Sequence, residues 1–126
     1  MASIPKIPVK NLAKTAITID PGISLLEACQ KLSDSKVRAA LVGKNGDPRG
    51  VISLEDLVRG MADGKKDRPV EEAMVREYAS VDGDEPLHVA ISKLGKTGAC
   101  QVVVTKSDVP FGMLEATDLV RCMVRF

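Results

Sequence analysis

The chain has 126 residues, of which 44% are hydrophobic, 28% charged and only 2% aromatic, and its formal net charge is +1. Such a balanced charge excludes a broad electropositive surface, so nucleic acid is an unlikely partner. No apolar run approaches the roughly twenty residues of a membrane span, and MASIPKIPVK at the N-terminus lacks the apolar stretch of a secretory signal. We therefore expect a cytoplasmic protein outside the membrane.

The first half of the chain predicts one strand, a helix, two strands and a second helix. Ser24 and Glu27 form a capping-box pattern at the start of a segment with apolar residues at helical spacing. The sequence KNGDP then predicts a hairpin-type turn between two apolar strands. The predicted elements are a strand at 16–19, a helix at 24–32, strands at 38–43 and 50–53, and a helix at 54–62.

The second half repeats the first without a gap when 62 is added to each residue number. GVISLEDLVRGM at 50–61 thus corresponds to GMLEATDLVRCM at 112–123. Two copies are too few for a solenoid, which predicts a pseudo-twofold pair of motifs that pack face to face. The predicted elements of the second copy are a strand at 78–81, a helix at 86–94 with Pro86 in its first turn, strands at 100–105 and 111–114, and a helix at 116–124.

This pattern resembles a tandem pair of cystathionine-β-synthase (CBS) domains, also called a Bateman module. The likeness lies in a short helical turn, the SLLEA helix, the paired strands and the Gly-Val-Ile-Ser-x-x-Asp-Leu stretch. It divides the chain into a first motif at 9–63, a linker at 64–69 and a second motif at 70–126. The resemblance implies an α+β fold whose two motifs pack through their sheets.

The same resemblance implies a function. CBS pairs are stand-alone or built-in regulatory modules that bind an adenosine-containing ligand, such as AMP, ADP, ATP or S-adenosylmethionine, in the cleft between the motifs. We therefore expect a regulatory sensor that signals to a partner protein and forms a homodimer. The alternative is a ligand-free structural module that serves only dimerisation or interaction.

Ser53 and Asp56 are the central candidates for ligand binding. The resemblance implies that Asp56 accepts hydrogen bonds from the ribose hydroxyls, with Ser53 beside the sugar or phosphate, and that Asp118 is the counterpart of Asp56. A carboxylate suits a pair of hydroxyls, and N–H groups at a helix start suit a phosphate. The same Ser-x-x-Asp spacing is also a helix cap worth about 1 kcal/mol, and both interpretations remain open.

Five further residues are candidates by resemblance. Lys14 and Arg76, at equivalent positions before the first strand of each copy, and Arg38, at the start of a central strand, would contact phosphate. Val37 and Ala99 would flank the adenine. Solvated surface charge and ordinary core packing are the alternatives for these positions.

Glu115 stands where the first copy has Ser53. A negative charge there would repel a phosphate, so the second site is expected to be vacant or to accept an uncharged or cationic ligand. The alternative is a solvated glutamate at the end of a strand.

Nothing in the sequence predicts catalysis. The single histidine, His88, lacks the neighbours of a metal site or catalytic dyad, and no nucleophile–base spacing or phosphate-binding loop occurs. We expect no enzyme activity, no metal and no obligatory cofactor. Cys29, Cys100 and Cys122 lack metal-type or redox-type spacing and are expected to be small buried hydrophobic residues in a reducing compartment.

Overall fold

A computed structural model of the chain describes residues 4–44 and 46–125. It confirms the expected α+β fold, and the predicted elements occur in the predicted order, with one additional two-residue strand at Lys14–Thr15 that the sequence did not predict. Asn45, in the predicted KNGDP turn, and Phe126, at the end of the predicted second motif, lie outside the described residues. The strands are β1 (Lys14–Thr15), β2 (Thr18–Ile19), β3 (Ala39–Lys44), β4 (Asp47–Ser53), β5 (Ser80–Asp82), β6 (Gln101–Lys106) and β7 (Val109–Glu115), and the helices are α1 (Leu25–Ser35), α2 (Leu54–Ala62), α3 (Leu87–Thr97) and α4 (Ala116–Arg125).

Two sheets divide these strands between two compact units, one of residues 17–78 and one of residues 4–16 and 79–125. The first sheet has the order β2-β3-β4 and the second the order β1-β7-β6-β5. In both, a parallel pair (β2 with β3, β5 with β6) is followed by an antiparallel hairpin (β3 with β4, β6 with β7). The repeat in the sequence is therefore a repeat of topology.

Each compact unit contains a short segment that the repeat assigns to the other motif. Val9, in the 3-10 turn Val9–Asn11, is fully buried in the core that includes Leu87 and Leu114. Its counterpart Val70, in the turn Val70–Glu72, is fully buried in the core of the 17–78 unit. The short turn that begins each sequence motif, Val9–Asn11 or Val70–Glu72, therefore packs in the compact unit formed mainly by the other motif. We call the two stretches that carry these turns the entering segments.

The predicted linker at 64–69 bonds to the start of α1. Leu25 N donates to Arg68 O and Leu26 N donates to Lys66 O, both at 3.0 Å. These N–H groups belong to the first helical turn, which has no partners within its own helix. The linker therefore completes the cap of α1.

Two local expectations are wrong. Pro86 is the N-cap of α3 rather than part of its first turn, because its ψ of 158° is extended. Cys100 is exposed, because it lies outside the core at the residue before β6. Its backbone carbonyl accepts a hydrogen bond from Ala116 N at 2.8 Å. Cys122 is buried as expected, while Cys29 packs at the edge of the core.

Among the described residues, no helix is long and apolar enough to cross a membrane.

The repeated glycines Gly50 and Gly112 let a neighbouring segment pass close to the second strand of each hairpin. A Cβ on Gly50 would lie 2.8 Å from the Val75 carbonyl oxygen, and one on Gly112 would lie 3.0 Å from the Lys14 carbonyl oxygen. Both distances are shorter than ordinary van der Waals contact. Glycine at these two positions therefore allows the segments carrying Lys14 and Arg76 to lie against β7 and β4.

Gly60 tests the packing of α1 on α2. A Cβ at this position would overlap the Leu25 side chain, which is 1% exposed and cannot turn into solvent. We expect Gly60→Ala to lower the free energy of unfolding by about 1–3 kcal/mol, measured by urea denaturation, because overpacking a core strains it. The matched control is Gly95→Ala in α3, where nothing lies within 4 Å and alanine should stabilise the helix by about 0.5–1 kcal/mol. Equal effects of the two substitutions would contradict the close helix contact.

The ion pair between Lys10 and Asp84 joins the 3-10 turn at Val9–Asn11 to the loop before α3, with a Nζ to Oδ1 distance of 2.7 Å. The hydrogen bond from Lys10, and then its charge, lowers the pKa of Asp84 below the ordinary 3.8, and the same two effects of Asp84 raise the pKa of Lys10 above 10.5. The pair therefore stabilises the fold between these values. Its contribution is lost as the pH falls through the lowered pKa of Asp84, or rises through the raised pKa of Lys10.

We accordingly expect Asp84→Asn to reduce the free energy of unfolding at neutral pH but not in acid below the folded-state pKa of Asp84. Urea titrations of both proteins across the acidic range measure this difference. High salt should shrink it at neutral pH, because both side chains are exposed. A difference independent of pH and salt would mean that the pair is not responsible.

Candidate functional site

Ser53 and Asp56 lie where β4 ends and α2 begins, and they hold each other. Ser53 is 7% exposed, and the Asp56 side chain is 12% exposed. The Ser53 N–H and hydroxyl both donate to Asp56 Oδ2, at 3.0 and 2.8 Å, and Asp56 N donates back to Ser53 Oγ at 3.3 Å. The capping interpretation of Ser-x-x-Asp is thus confirmed as a complete capping box.

The second carboxylate oxygen of Asp56 is less heavily engaged. Oδ1 contacts Nη1 of Arg59 at 3.3 Å, and the Arg59 side chain is 70% exposed. This is the ion pair within a helix that i, i+3 spacing allows. A carboxylate oxygen can accept two hydrogen bonds, so Oδ1 keeps capacity for a hydroxyl donor while Oδ2 is fixed by Ser53.

Two other candidates lie at the same end of the first hairpin. Ala39 and Ser53 are paired across β3 and β4, and Leu54 N donates to Arg38 O at 2.9 Å. This bond places Arg38, with an exposed side chain, beside the first residue of α2. Val37 is partly buried and packs against the core of its own unit. The structure therefore brings Val37 and Arg38 to the strand end that carries Ser53 and the helix start that carries Asp56.

Arg76 lies beside the edge of the first sheet. The preceding residue, Val75, exchanges backbone hydrogen bonds of 2.8 and 2.9 Å with Val51 of β4. The Arg76 side chain is exposed, and within residues 4–44 and 46–125 it forms no ion pair with Asp56. Its predicted phosphate contact stays a prediction.

The equivalent turn in the second copy is built differently. The Asp118 side chain is 11% exposed, and among the described residues its Oδ2 accepts only from Glu115 N, at 3.3 Å, because Glu115 has no hydroxyl to complete the box. Its Oδ1 faces Nζ of Lys14 at 3.3 Å. The cation beside Asp118 is therefore Lys14 from β1 rather than Arg121, the residue that helical spacing favours.

Sequence reasoning did not anticipate this partnership of Lys14 and Asp118. The offset of 62 residues pairs Lys14 with Arg76 as equivalent positions, but it does not show which sheet each segment joins. Lys14 reaches Asp118 because β1 pairs antiparallel with β7, with Lys14 opposite Met113. The sequence analysis could have predicted this ion pair only by considering that residues 14–15 join the second hairpin rather than the first.

The other candidates of the second copy occupy positions matching the first. Ala99 is partly buried and packs against the core of its unit, as Val37 does in the other. Glu115 is partly buried, and its Oε2 accepts from the Thr117 hydroxyl at 3.5 Å. The second motif therefore carries two partly buried carboxylates, Glu115 and Asp118, and Asp118 is the one that contacts Lys14.

A cleft of about 170 Å³ within the 17–78 unit has Asp56 in its wall. Arg59 and Gly60 of α2 line one side, and Arg68 and Glu72 line the other. Arg68 and Glu72 form their own ion pair at 2.7 Å. Asp56 thus faces a concave surface of mixed charge. No group of His, Cys, Asp and Glu suited to a metal ion occurs in the described part of the chain.

Comparison with known proteins identifies the family. The family model described as CBS domain matches residues 9–63 and again residues 70–125. Because the two matches together cover most of the chain, the protein belongs to the CBS-domain family and carries two copies of the domain. The resemblance noted in the sequence is confirmed.

Solved structures share this fold. The CBS domain pair of protein MJ0100, in complex with 5'-methylthioadenosine and S-adenosyl-L-methionine, matches with a TM-score of 0.85 and 26% identity, covering 93% of this chain and 95% of that one. The CBS domain NE2398 gives 0.85 and 25% identity, with coverage of 95% and 99%. PAE2072 from Pyrobaculum aerophilum, complexed with AMP, gives 0.83 and 23% identity, with coverage of 94% and 97%. At that identity, PAE2072 supports the fold alone.

A curated relative is longer than this chain. "Uncharacterized protein MJ1232" of Methanocaldococcus jannaschii is 28% identical over 123 residues. The match covers 96% of this chain but 41% of that protein, so the chain spans about two fifths of its relative's length.

Proposed function

We propose that this CBS pair is a regulatory module that binds an adenosine-containing ligand at the Ser53–Asp56 motif and signals its occupancy to a partner protein. The ligand would be of the AMP, ADP, ATP or S-adenosylmethionine type. The module would act without chemistry of its own and without an obligatory cofactor, in the reducing cytoplasm that three free cysteines suit. The motif boundaries stay those of the sequence repeat, 9–63 and 70–126 with a linker at 64–69.

The observation that carries this proposal is the state of the Asp56 carboxylate. One oxygen is fixed by Ser53, and the other is bonded, within the part of the chain that the structure describes, to the exposed Arg59 alone, whose contact at 3.3 Å is easily exchanged for a ligand hydroxyl. An acceptor that is already oriented and mostly desolvated loses little freedom when a diol binds. The nearby Arg38 would contact a phosphate, and Val37 would flank the base.

The solved MJ0100 pair supports the ligand class, because it was crystallised with two adenosine compounds and is 26% identical to this chain. One of those compounds is S-adenosyl-L-methionine. For this chain we keep the ligand at the level of an adenosine-containing molecule. Regulation by such a ligand requires the partner to prefer one occupancy state, typically by about 1–3 kcal/mol.

A second candidate function is a ligand-free structural module. The complete capping box favours it, since stabilising α2 is a sufficient reason for Ser53 and Asp56 to be present. The two hypotheses differ in thermal stability with added ligand. An adenosine compound at a hundredfold excess over its Kd should add about 2.7 kcal/mol to the stability of a sensor, whereas a structural module should not respond.

Substitution of Asp56 tests the site. We expect Asp56→Ala to weaken adenine-nucleotide binding by about 1.5–3 kcal/mol in calorimetric titration, the usual value of hydrogen bonds to a charged group. Since Asp56→Ala also removes the carboxylate half of the capping box of α2, Ser24→Ala is the control for weakened helix capping. It removes the cap of α1, where Ser24 Oγ accepts from Glu27 N at 3.1 Å, and should leave the Kd unchanged. An unchanged Kd in Asp56→Ala would refute the site.

We further propose that two copies of this chain form a homodimer in solution, separately from any effector protein. The valines at the repeated positions of α2 and α4, Val58 and Val120, are 68% and 54% exposed, and Val124 is 79% exposed. Exposed branched side chains at matched positions of both repeats favour contact with another apolar helix. A symmetric dimer uses one surface twice.

For this dimer we expect Val58→Glu combined with Val120→Glu to halve the mass measured by light scattering after gel filtration, because buried unpaired charges destabilise an interface. Val109→Glu, at an exposed valine of the second hairpin, is the control and should leave the mass unchanged. A monomeric wild-type protein, or a double variant of unchanged mass, would exclude this interface.

A further inference from the structure

The two repeated aspartates obtain their cations from different parts of the chain. Asp56 is paired with Arg59 of its own helix, three residues away. Asp118 is paired with Lys14, which lies on the segment of residues 7–16 that we call the N-terminal arm. Loss of the cation contact at Asp118 therefore affects the arm, whereas loss of the cation contact at Asp56 affects only α2.

The arm is held firmly at one end and lightly at the other. Near its start, Val9 is fully buried, and Val9 N and Lys10 N donate to Glu85 O and Gly83 O at 2.8 and 2.9 Å. Toward its end, β1 is only two residues long with both side chains exposed. The arm then closes with a longer bond of 3.2 Å from Ala16 N to Phe111 O.

The ion pair between Lys14 and Asp118 thus lies near the weakly held end of the arm, at residues 14–16. Lys14 is 57% exposed, but its partner Asp118 is 11% exposed, so the carboxylate has little access to water. Oδ2 of Asp118 accepts one hydrogen bond from Glu115 N, and Oδ1 contacts Nζ of Lys14. Each oxygen can accept one further hydrogen bond, but a diol that uses both oxygens meets Lys14 at Oδ1 and shares or displaces that contact.

We propose that the end of the N-terminal arm and an uncharged ligand bearing a vicinal diol compete for Oδ1 of Asp118. This inference rests on the proposed function in that it takes the repeated aspartates as diol acceptors. A neutral nucleoside offers Lys14 no anion in exchange for the carboxylate, so its binding loosens residues 13–16. By linkage, the docked arm lowers the affinity of the second motif for such a ligand by the same factor.

The first motif provides the internal comparison. A diol at Asp56 displaces at most Arg59, whose release moves no other segment, because Arg59 and Asp56 share one helix. Arg76 occupies the position equivalent to Lys14, but it makes no ion pair with Asp56 among the described residues. The coupling is therefore specific to the second motif and follows from the pairing of β1 with β7.

The test uses adenosine as the neutral probe and the full chain carrying Asp56→Ala, so that the first motif does not contribute. Amide hydrogen exchange reports the arm through Thr15 and Ala16. We expect saturating adenosine to increase their exchange by about two- to fivefold, the range that a partly exposed ion pair supports. Adding Lys14→Met should tighten adenosine binding by about the same factor and abolish the exchange response, whereas adding Lys96→Met, at an exposed lysine of α3, should change neither.

Each outcome decides the proposal. Increased exchange that disappears with Lys14→Met supports competition, and a merely structural Lys14 would raise basal exchange without removing the response to ligand. Adenosine that binds equally with Lys14 or methionine, or that leaves the arm unchanged, overturns it. Failure of adenosine to bind the Asp56→Ala protein overturns it as well. Nucleotide binding by the wild-type protein, lost in Asp56→Ala, would then leave the proposed function standing.

Discussion

The close passage of an entering segment over a glycine of each hairpin is the constraint on which the rest of this structure depends. At Gly112 the segment is β1, and at Gly50 it is the stretch ending at Val75. A side chain at either glycine would push the segment from the sheet. With β1 displaced, Lys14 would lose its contact with Asp118. The packing of these segments and the contacts of the candidate site therefore depend on the same close approach.

The difference between Ser53 and Glu115 determines how each repeated carboxylate is held. Serine supplies both an N–H and a hydroxyl, so one oxygen of Asp56 is fully satisfied by its own turn. Glutamate supplies only the N–H, and Asp118 takes its second contact from a distant lysine. The exchange of serine for glutamate thus accompanies a change from a self-contained helix cap to a link between chain segments.

The sequence predicted the order of elements, the repeat and the family because those features are local or periodic. The bounds of α2, for instance, follow from Ser53 as cap and from the apolar spacing of residues 54–62. The sequence also predicted that Ser53 and Asp56 would meet, since three residues separate them at a helix start. The pairing of Lys14 with Asp118 could not be predicted in this way, because it depends on which sheet a two-residue strand joins. Nor did helical spacing show that Asp118 would choose Lys14 over Arg121.

The discontinuity of one compact unit has a consequence for synthesis. During translation the arm precedes the contiguous residues 17–78, which contain every strand and helix of their own unit. Val9 must wait for Leu87 and Leu114 before its core exists. Since domains fold as units during translation, the 17–78 unit can assemble on the nascent chain while the arm remains undocked. The core that buries Val9 includes Leu119 and Cys122, so the arm can dock completely only after α4 has been synthesised.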